Sequence, residues 1–229
     1  MKIGAIQKFS LIDYPGKICA ILFTQGCNFK CPYCHNPELV IPECFGPCIS
    51  EKEVLSFLNL RKGKLDAISI SGGEPSLQSG LASFIRQIKS LGYLVKLDTN
   101  GTWPDAIFDL LDQSLLDYIA MDIKAPFSKY SEIAQVPVRV EEIQRSIHLI
   151  RGSGIDHEFR TTIVRRFLCG EDIREIAEFI GPGEKYIIQK FVAGKSIDEN
   201  LSKNYEFPDR DYDKLIRDLT GSFPNLLFR

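Results

Sequence analysis

Six short runs of apolar and β-branched residues recur along this chain and predict β-strands. They are residues 18–23, 67–71, 93–98, 118–123, 158–164 and 186–191. The segments between them carry apolar residues at helical spacing, and most end near a glycine. The predicted helices are the one that follows Ser50 and runs toward Gly63, and residues 77–91, 105–111, 138–151, 172–180 and 211–219. Such alternation, joined by short loops, predicts a parallel sheet covered by helices.

Local signals support two of the helix starts. Ser50 and Glu53 have the spacing of a capping box, in which the two residues satisfy each other's backbone amides. Pro104 stands where the first turn of a helix tolerates a proline, directly before the predicted helix 105–111.

The number of repeating units limits the architecture. About six strand–helix units are present, whereas a closed barrel has eight units and typically about 250 residues. We therefore predict an α/β fold built as a partial (β/α)6 TIM-like barrel that is open on one side. The 229 residues are expected to form a single domain, 1–229, with a core of about 16–194 and a C-terminal helical extension of about 195–229.

Composition excludes several classes of protein. The chain is 44% hydrophobic and 25% charged, as globular proteins are, and its formal net charge of −2 offers no broad basic surface for nucleic acid. No stretch approaches the ~20 apolar residues of a membrane helix, and the start of the sequence lacks a signal-peptide core. We expect a cytoplasmic protein with no membrane partner, whose seven cysteines are ligands or buried thiols rather than disulfides.

Three of these cysteines follow the first predicted strand at C-x3-C-x2-C spacing: Cys27, Cys31 and Cys34. Thiolates are the usual ligands of iron–sulfur clusters, and three of them would leave one iron of a four-iron cluster open. A structural zinc site would need a fourth protein ligand. Cys44 and Cys48 are the nearest candidates, so a zinc-binding interaction module remains an alternative at this point.

Further polar motifs follow the next three strands. Gly72, Gly73 and Glu74 come after the second strand, Asp98 and Asn100 after the third, and Asp122 and Lys124 after the fourth. Taken singly, each motif has an ordinary explanation as a turn, a helix cap or a solvated side chain. Together they all fall at the carboxyl ends of the strands, where active sites of barrels collect.

These motifs resemble a known family. Five motifs occur in the order found in the glycyl-radical-enzyme activases, which are radical S-adenosylmethionine (SAM) enzymes. They are the cysteine run, Cys34-His35-Asn36-Pro37, Ser71-Gly72-Gly73-Glu74-Pro75, Asp98-Thr99-Asn100-Gly101 and Met121-Asp122-Ile123-Lys124. Asp13-Tyr14-Pro15-Gly16 is similar to the branch that activates anaerobic ribonucleoside-triphosphate reductase, because the formate-lyase activases carry glycine in place of Tyr14. The resemblance extends over roughly residues 4–194.

The resemblance implies a fold of the radical SAM type and a specific chemistry. Cys27, Cys31 and Cys34 would hold a [4Fe–4S] cluster whose open iron binds SAM. An electron from flavodoxin or ferredoxin would cleave SAM to methionine and a 5′-deoxyadenosyl radical. That radical would take a hydrogen atom from a glycine Cα of the partner, a glycyl radical enzyme. The alternative within this chemistry is the activase of a formate-lyase-type or other glycyl radical enzyme.

The resemblance also implies roles for individual residues. Tyr33 would flank the adenine, His35 would order the loop, and the main chain of Gly72 and Gly73, supported by Glu74, would bind the SAM amino group. Asn100 is also expected at the SAM site, and Lys124 would pair with the SAM carboxylate. Asp98 and Asp122 would surround a monovalent cation. Asp13, Tyr14 and Pro15 would position the partner's glycine loop. Whether Arg160 and Gln189 contact SAM stays open. Cys19 is expected in the core, and Cys44 and Cys48 are given no ligand role.

Overall fold

The protein is described by a computed structural model that covers residues 1–201, 205–206 and 208–228. In these residues one sheet of eight strands follows chain order from β1 to β8. The strands are β1 Ile3–Ser10, β2 Cys19–Thr24, β3 Ala67–Gly72, β4 Leu94–Thr99, β5 Tyr118–Asp122, β6 Asp156–Ile163, β7 Tyr186–Lys190 and β8 Leu226–Phe228. Strand β1 is antiparallel to β2, and every later pair is parallel.

The helices are α1 Pro37–Val40, α2 Glu51–Leu60, α3 Leu81–Ser90, α4 Pro104–Asp112, α5 Tyr130–Ala134, α6 Val140–Gly152, α7 Gly170–Ile180 and α8 Asp209–Thr220. The capping box at Ser50 is confirmed: Glu53 N donates to Ser50 Oγ at 3.2 Å, and Ser50 N donates to Glu53 Oε2 at 3.0 Å. Within the described ranges, no helix combines the length and the apolar composition needed to cross a bilayer.

The predicted partial (β/α)6 barrel is confirmed. The six predicted strands are β2 to β7, in the predicted order and direction. Helix α3 begins at Leu81 rather than at residue 77, because residues 75–77 form a separate 3-10 turn and Gly80 adopts a left-handed φ of 86°. The short helices α1 and α5 were not predicted.

The two edge strands were also missed. Strand β1 lies at the edge of the sheet, and its residues 7–9 are exposed, so it lacks the largely buried apolar run of a parallel strand inside the sheet. Strand β8 has only three residues, and it lies in the C-terminal segment that was expected to be helical. Pairing with β7 brings it into the sheet.

Side chains alternate between the two faces of the sheet, as the strand geometry requires. On β3 to β5 one set packs in the main apolar core with the helices: Ile68, Ile70, Val95, Leu97, Ile119 and Met121. The alternate positions carry Ser69, Lys96, Asp98, Tyr118 and Asp122, which face the interior of the partial barrel. The inner face is therefore polar and charged, and it leads to the carboxyl ends of the strands.

Candidate active site

A cavity of about 220 Å³ opens at the carboxyl ends of β2 to β6. All the residues that the sequence analysis placed at the cluster and at SAM line it: Cys27, Cys31, Cys34, Tyr33, His35, Gly72, Gly73, Glu74, Asp98, Asn100, Asp122 and Lys124. They come from four separate loops, and the parallel order of the strands brings them together.

The cysteine loop is held to the rest of the protein by its backbone. Lys30 N donates to Ala134 O of α5 at 2.9 Å. On the other side, the segment after β7 reaches across the loop, where Ile197 N donates to Cys34 O at 3.2 Å and Asp198 N donates to Pro32 O at 2.9 Å. These contacts hold the backbone on both sides of Cys31 and at Cys34.

The thiols lie in a poorly solvated environment. Cys31 is buried, and Cys27 and Cys34 are partly buried. Burial raises the pKa of Cys27 to about 12 and that of Cys31 to about 11, and it also raises the pKa of Cys34. In the metal-free protein these groups are therefore thiols at neutral pH, and metal binding must displace their protons.

The placement of the thiols fits a cluster better than a single metal ion. In the part of the chain that the structure describes, no three His, Cys, Asp or Glu side chains converge closely enough to ligate one ion. The three thiols nevertheless line one cavity. A cluster needs this arrangement, because each thiolate binds a different iron, whereas a zinc site needs its ligands around one point.

The two glycines at the end of β3, Gly72 and Gly73, are required by the chain's own backbone. A Cβ at Gly72, whose φ is 124°, would lie 2.2 Å from Thr24 N, and a Cβ at Gly73 would lie 2.1 Å from Gly26 O. Glu74 N donates to Gly26 O at 2.8 Å. The absence of side chains thus lets the glycine loop dock against the start of the cysteine loop, in addition to leaving main chain exposed on the cavity wall.

Glu74 is buried beneath this loop, and its carboxylate accepts hydrogen bonds from the protein itself. Oε1 accepts from Ser76 N at 3.0 Å, from Ser76 Oγ at 2.5 Å and from Thr99 Oγ1 at 2.7 Å. Oε2 accepts from Asn100 N at 2.7 Å. Burial raises the pKa of Glu74, although these donors oppose the shift. Its contacts make Glu74 a residue that positions the loops after β3 and β4.

Asn100 connects the β4 loop to the cysteine loop. Its Nδ2 donates to Asn28 Oδ1 at 2.9 Å, and its Oδ1 accepts from Thr102 Oγ1 at 2.7 Å. Asn28 Nδ2 in turn donates to Thr102 Oγ1 at 2.8 Å. The closed ring of hydrogen bonds sets the position of Asn28, one residue from Cys27.

Two carboxylates and three cations form an ion-pair cluster on the inner face, and three of its members, Asp98, Asp122 and Lys124, line the cavity. Arg160 Nε lies 2.8 Å from Asp122 Oδ1, and its guanidinium reaches Asp98 Oδ1 at 3.4 Å. Lys96 Nζ lies 2.5 Å from Asp98 Oδ1, and Lys124 Nζ lies 3.0 Å from Asp122 Oδ2.

The ion pairs determine the charge states within this cluster. Burial alone would raise the pKa of Asp122, but Arg160 and Lys124 outweigh it and hold that pKa well below its usual range. Burial alone would lower the pKa of Lys124, yet the carboxylate of Asp122 raises it well above its usual value. Both side chains are therefore charged at neutral pH.

Tyr33 carries a polar atom for which the described part of the chain provides no hydrogen-bond partner. Its hydroxyl is buried and is one of the few such side-chain atoms, among the described residues, with no hydrogen-bond partner. Its ring packs against Phe167 with centroids 6.2 Å apart, and the residue lines the cavity. Buried hydroxyls almost always have a partner, so this atom fits a site that is completed by a bound group.

His35 joins the cysteine loop to the chain after β7. Its Nε2 lies 3.0 Å from Val192 O, and its ring stacks on Phe191 at 5.7 Å with planes 5° apart. The contacts are those of a residue that orders the loop.

Asp13, Tyr14 and Pro15 do not join the cavity. Tyr14 is buried against Cys19, Ala67 and Tyr118, the first residues of β2, β3 and β5. Its ring lies 5.7 Å from the ring of Tyr118, and Asp13 accepts a hydrogen bond from Ser10 Oγ. This loop therefore covers the amino-terminal end of the partial barrel, opposite the cysteines.

The other sequence candidates have less central positions. Cys19 is buried, as expected, whereas Cys44, Cys48 and Cys169 are exposed free thiols. Neither Arg160 nor Gln189 is among the lining residues, but Arg160 contacts two residues that are, Asp98 and Asp122.

Several residues at the site were missed by the sequence analysis. Thr99 and Thr162 line the cavity, Asn28 and Thr102 complete the ring around Asn100, and Tyr130 accepts a hydrogen bond from Lys124 N at 3.2 Å. Thr99 and Asn28 lie inside quoted motifs, so their positions were a usable signal. Thr162 and Tyr130 stand in ordinary strand and helix sequence, and no sequence signal marked them as site residues.

Comparison with protein families agrees with this geometry. The family model described as the radical SAM superfamily matches residues 21–181. A protein of Methanocaldococcus jannaschii named "Putative glycyl-radical enzyme activating enzyme" is 38% identical over 206 residues, which cover 88% of this chain and 84% of the relative. The pyruvate formate-lyase-activating enzyme of Clostridium pasteurianum is 31% identical over 128 residues, covering 54% of this chain and 52% of that enzyme.

Solved structures share the fold. SuiB of Streptococcus suis bound to S-adenosylmethionine superposes with a TM-score of 0.69 and 18% identity over 89% of this chain. The chain spans about half of SuiB, 47% of its length. A radical SAM methyltransferase from Sphaerobacter thermophilus gives a TM-score of 0.73 at 13% identity, over 96% of this chain and 68% of the other. At these identities the likeness shows the fold alone.

Proposed function

Because this chain belongs to the radical SAM superfamily, we propose that it generates a glycyl radical on a partner enzyme, anaerobic ribonucleoside-triphosphate reductase. The observation that carries the proposal is the single cavity that gathers the cysteine, glycine, aspartate and lysine motifs of the activases. The relative named as an activating enzyme supports the same reaction, since it aligns with 88% of this chain. A zinc-binding interaction module is left without support.

The enzymes of this superfamily use a [4Fe–4S] cluster and SAM. When both are bound, they supply the one-electron reductive cleavage of the sulfonium that leads to hydrogen abstraction. The chain itself supplies the ligands and the geometry. Cys27, Cys31 and Cys34 would hold three irons, and the backbone contacts of the cysteine loop would keep these ligands at the cavity.

The cavity walls would orient SAM by charge and hydrogen bonding. The ammonium of Lys124 lies on the wall and would pair with the SAM carboxylate, a charge-assisted contact. The main chain at Gly72 and Gly73 would receive the amino group, and Tyr33 would lie beside the adenine. Glu74, Asn100 and His35 would act indirectly, since their observed contacts position the loops.

The partner would dock on the opposite end of the barrel. The loop with Asp13, Tyr14 and Pro15 covers that end, and the apolar side chains around it are exposed: Phe9, Leu11, Ile12 and Ile18. Ile12 is 84% exposed. Exposed apolar side chains in one segment are typical of a protein-binding surface. The body of the partner would bind here, its glycine loop would reach the cavity at the carboxyl ends of the strands through the open side of the barrel, and Tyr14 would help to place that loop.

Two partners are compatible with this chemistry. Tyr14 in the Asp-Tyr-Pro-Gly element favours the reductase. The similarity to pyruvate formate-lyase-activating enzymes favours a lyase-type partner as the second candidate. Either enzyme would present a glycine-bearing loop, and flavodoxin or ferredoxin would supply the electron in both cases.

The test is anaerobic and uses the full chain with a reconstituted cluster. The reduced protein is mixed with SAM and either the reductase or a formate lyase, and the radical spectrum and 5′-deoxyadenosine are recorded from the same tube. We expect a glycyl doublet and deoxyadenosine with the reductase. A doublet only with the lyase would replace the first partner by the second, and no doublet with either would overturn the proposed activity.

A matched pair of variants separates partner binding from SAM cleavage. Ile12→Ser changes an exposed side chain at the proposed partner surface, and Leu60→Ser changes one in α2 that is 77% exposed. We expect Ile12→Ser to lower the radical yield on the partner while leaving the partner-free cleavage of SAM unchanged. Leu60→Ser should alter neither, and an equal loss in both variants would argue against the surface.

A further inference from the structure

The ion-pair cluster on the inner face differs from what a cation site between Asp98 and Asp122 would require. These two residues come from the neighbouring strands β4 and β5, and both line the cavity. A metal cation between them would need carboxylate oxygens with uncompensated negative charge. The structure instead supplies each carboxylate with positively charged side chains of the protein.

Arg160 occupies the central position of the cluster. It stands directly opposite Asp122 in the register between β5 and β6. Its guanidinium contacts Asp122 Oδ1 at 2.8 Å and Asp98 Oδ1 at 3.4 Å, so it bridges both carboxylates. A planar guanidinium suits this task, because its donors diverge in a fixed fork.

The charge balance of the cluster is already positive. Asp98 and Asp122 carry two negative charges, whereas Lys96, Lys124 and Arg160 carry three positive charges. The nearby Glu158 does not change this balance, because it pairs with Lys185 at 3.0 Å. Within these five side chains an added Na⁺ or K⁺ would meet a net repulsion, while the carboxylate of SAM would meet an attraction.

The cations of the cluster are also held in place. The side chains of Lys96 and Arg160 are 3% and 14% exposed, and both belong to strands rather than to loops. Displacing either one to admit a metal ion would leave a buried charge without its partner, which is strongly unfavourable.

We propose that the guanidinium of Arg160, together with the ammonium of Lys96, takes the place of a monovalent cation in this chain, so that SAM binds without Na⁺ or K⁺. The inference rests on the proposed function in so far as SAM is the ligand, but it does not depend on which enzyme is activated. Arg160 is then a positioning residue, which acts on SAM through Asp98 and Asp122.

The first test needs no variant. SAM binding to the reconstituted protein is measured by equilibrium dialysis, without partner, in tetramethylammonium chloride and in KCl or NaCl at the same ionic strength. We expect the dissociation constants to agree within about twofold. A twofold difference corresponds to a small fraction of the binding free energy that one charge-assisted contact contributes. Binding that is more than about tenfold tighter in K⁺ or Na⁺, the effect of one ionic contact, would overturn the proposal.

Variants supply the converse test. Arg160→Gln removes the bridge and should weaken SAM binding about tenfold or more in tetramethylammonium chloride, with partial recovery in K⁺ or Na⁺. Arg160→Lys keeps the positive charge, so SAM binding to this variant should stay insensitive to the metal cation. Arg217→Gln, an exposed change in α8, should behave like the wild type. If SAM binding to the Arg160→Gln variant is weakened equally in every salt, the two aspartates do not form a latent cation site. The proposal that Arg160 replaces a cation is then refuted.

A second measurement on the same proteins avoids the cluster altogether. The thermal unfolding midpoint of the iron-free protein is compared between KCl and tetramethylammonium chloride. The wild type should give equal midpoints, and Arg160→Gln should unfold at a higher temperature in KCl. A K⁺-dependent midpoint in the wild type would contradict the proposal. None of these measurements uses a partner enzyme, so a failure to form a glycyl radical would leave them unaffected.

Discussion

Glu74 Oε2 accepts a hydrogen bond from the backbone amide of Asn100 at 2.7 Å, and this contact joins the loop after β3 to the loop after β4. The same carboxylate accepts from Thr99 and Ser76. Asn100 in turn holds Asn28 of the cysteine loop. Three loops that are far apart in sequence are therefore connected through one buried acid, which makes the cavity a single unit.

Replacing Glu74 by glutamine should destabilise the iron-free protein. Every group that faces the carboxylate is a donor, so the amide nitrogen of glutamine would meet another donor, at a cost of about 1–3 kcal/mol in the free energy of unfolding. Urea unfolding measures this value. Glu178→Gln, on the exposed face of α7, serves as the control, and an equal effect of both changes would show that Glu74 does not hold the loops together.

Gly73→Ala should disturb the cysteine loop through a backbone clash. The new Cβ would lie 2.1 Å from Gly26 O, and such overpacking typically costs about 1–3 kcal/mol. We expect lower iron content after anaerobic reconstitution, together with a lower free energy of unfolding. Gly183→Ala places its Cβ in open space and should change neither quantity. Normal iron content in Gly73→Ala would mean that the two loops can move apart freely.

Cys31→Ala should abolish SAM cleavage, because the cluster would lose one of its three thiolates. Iron content and 5′-deoxyadenosine formation are measured after anaerobic reconstitution. Cys44→Ala and Cys169→Ala, at exposed thiols, should retain both. Turnover by Cys31→Ala would remove the basis of the cluster assignment, and a loss of iron in Cys44→Ala would give that cysteine a role that its position does not indicate.

Tyr33→Phe should separate stability from ligand binding. The hydroxyl has no partner among the residues that the structure describes, so its removal should leave the stability of the iron-free protein equal or higher. If SAM is the missing partner, its dissociation constant should rise roughly 2- to 13-fold, the value of one neutral hydrogen bond. Tyr130→Phe is the comparison, since its hydroxyl accepts from Lys124 N and its loss should lower stability. Unchanged SAM binding in Tyr33→Phe would exclude this contact.

The stability contributed by Asp122 should depend on pH. Burial raises its pKa, but Arg160 and Lys124 lower it further, so the folded-state pKa lies below the ordinary value. A carboxyl with a depressed pKa stabilises the fold above its unfolded-state pKa of about 3.9, and this contribution is lost as the pH falls through that range and below.

Urea unfolding of the iron-free wild type and of Asp122→Asn measures this contribution. The difference in the free energy of unfolding should be largest near pH 7 and should decrease toward pH 3. A difference that grows as the pH falls would show that the ion pairs do not control Asp122.

Much of the fold could be predicted from the sequence. The strands β2 to β7 are short runs rich in apolar and β-branched residues, since a parallel sheet covered by helices buries both faces of its strands, and their alternation with helical segments sets the order of the sheet. Strand β1 mixes apolar residues with exposed polar ones, and β8, although apolar, has only three residues. They become strands because a neighbouring strand offers hydrogen bonds, which only the folded sheet provides.

The sequence also determined which residues line the cavity. The contacts among those residues were decided by the tertiary structure. Motifs directly after parallel strands must meet at one edge, so Cys27, Gly73, Asp98 and Lys124 could be grouped from their positions alone. A one-dimensional pattern does not show which side chain reaches which atom. The burial of Glu74 beneath three loops, the bridge from Arg160 to two aspartates, and the position of Tyr14 at the far end of the barrel depend on distances between strands. Those distances exist only once the sheet has curved and the loops have packed.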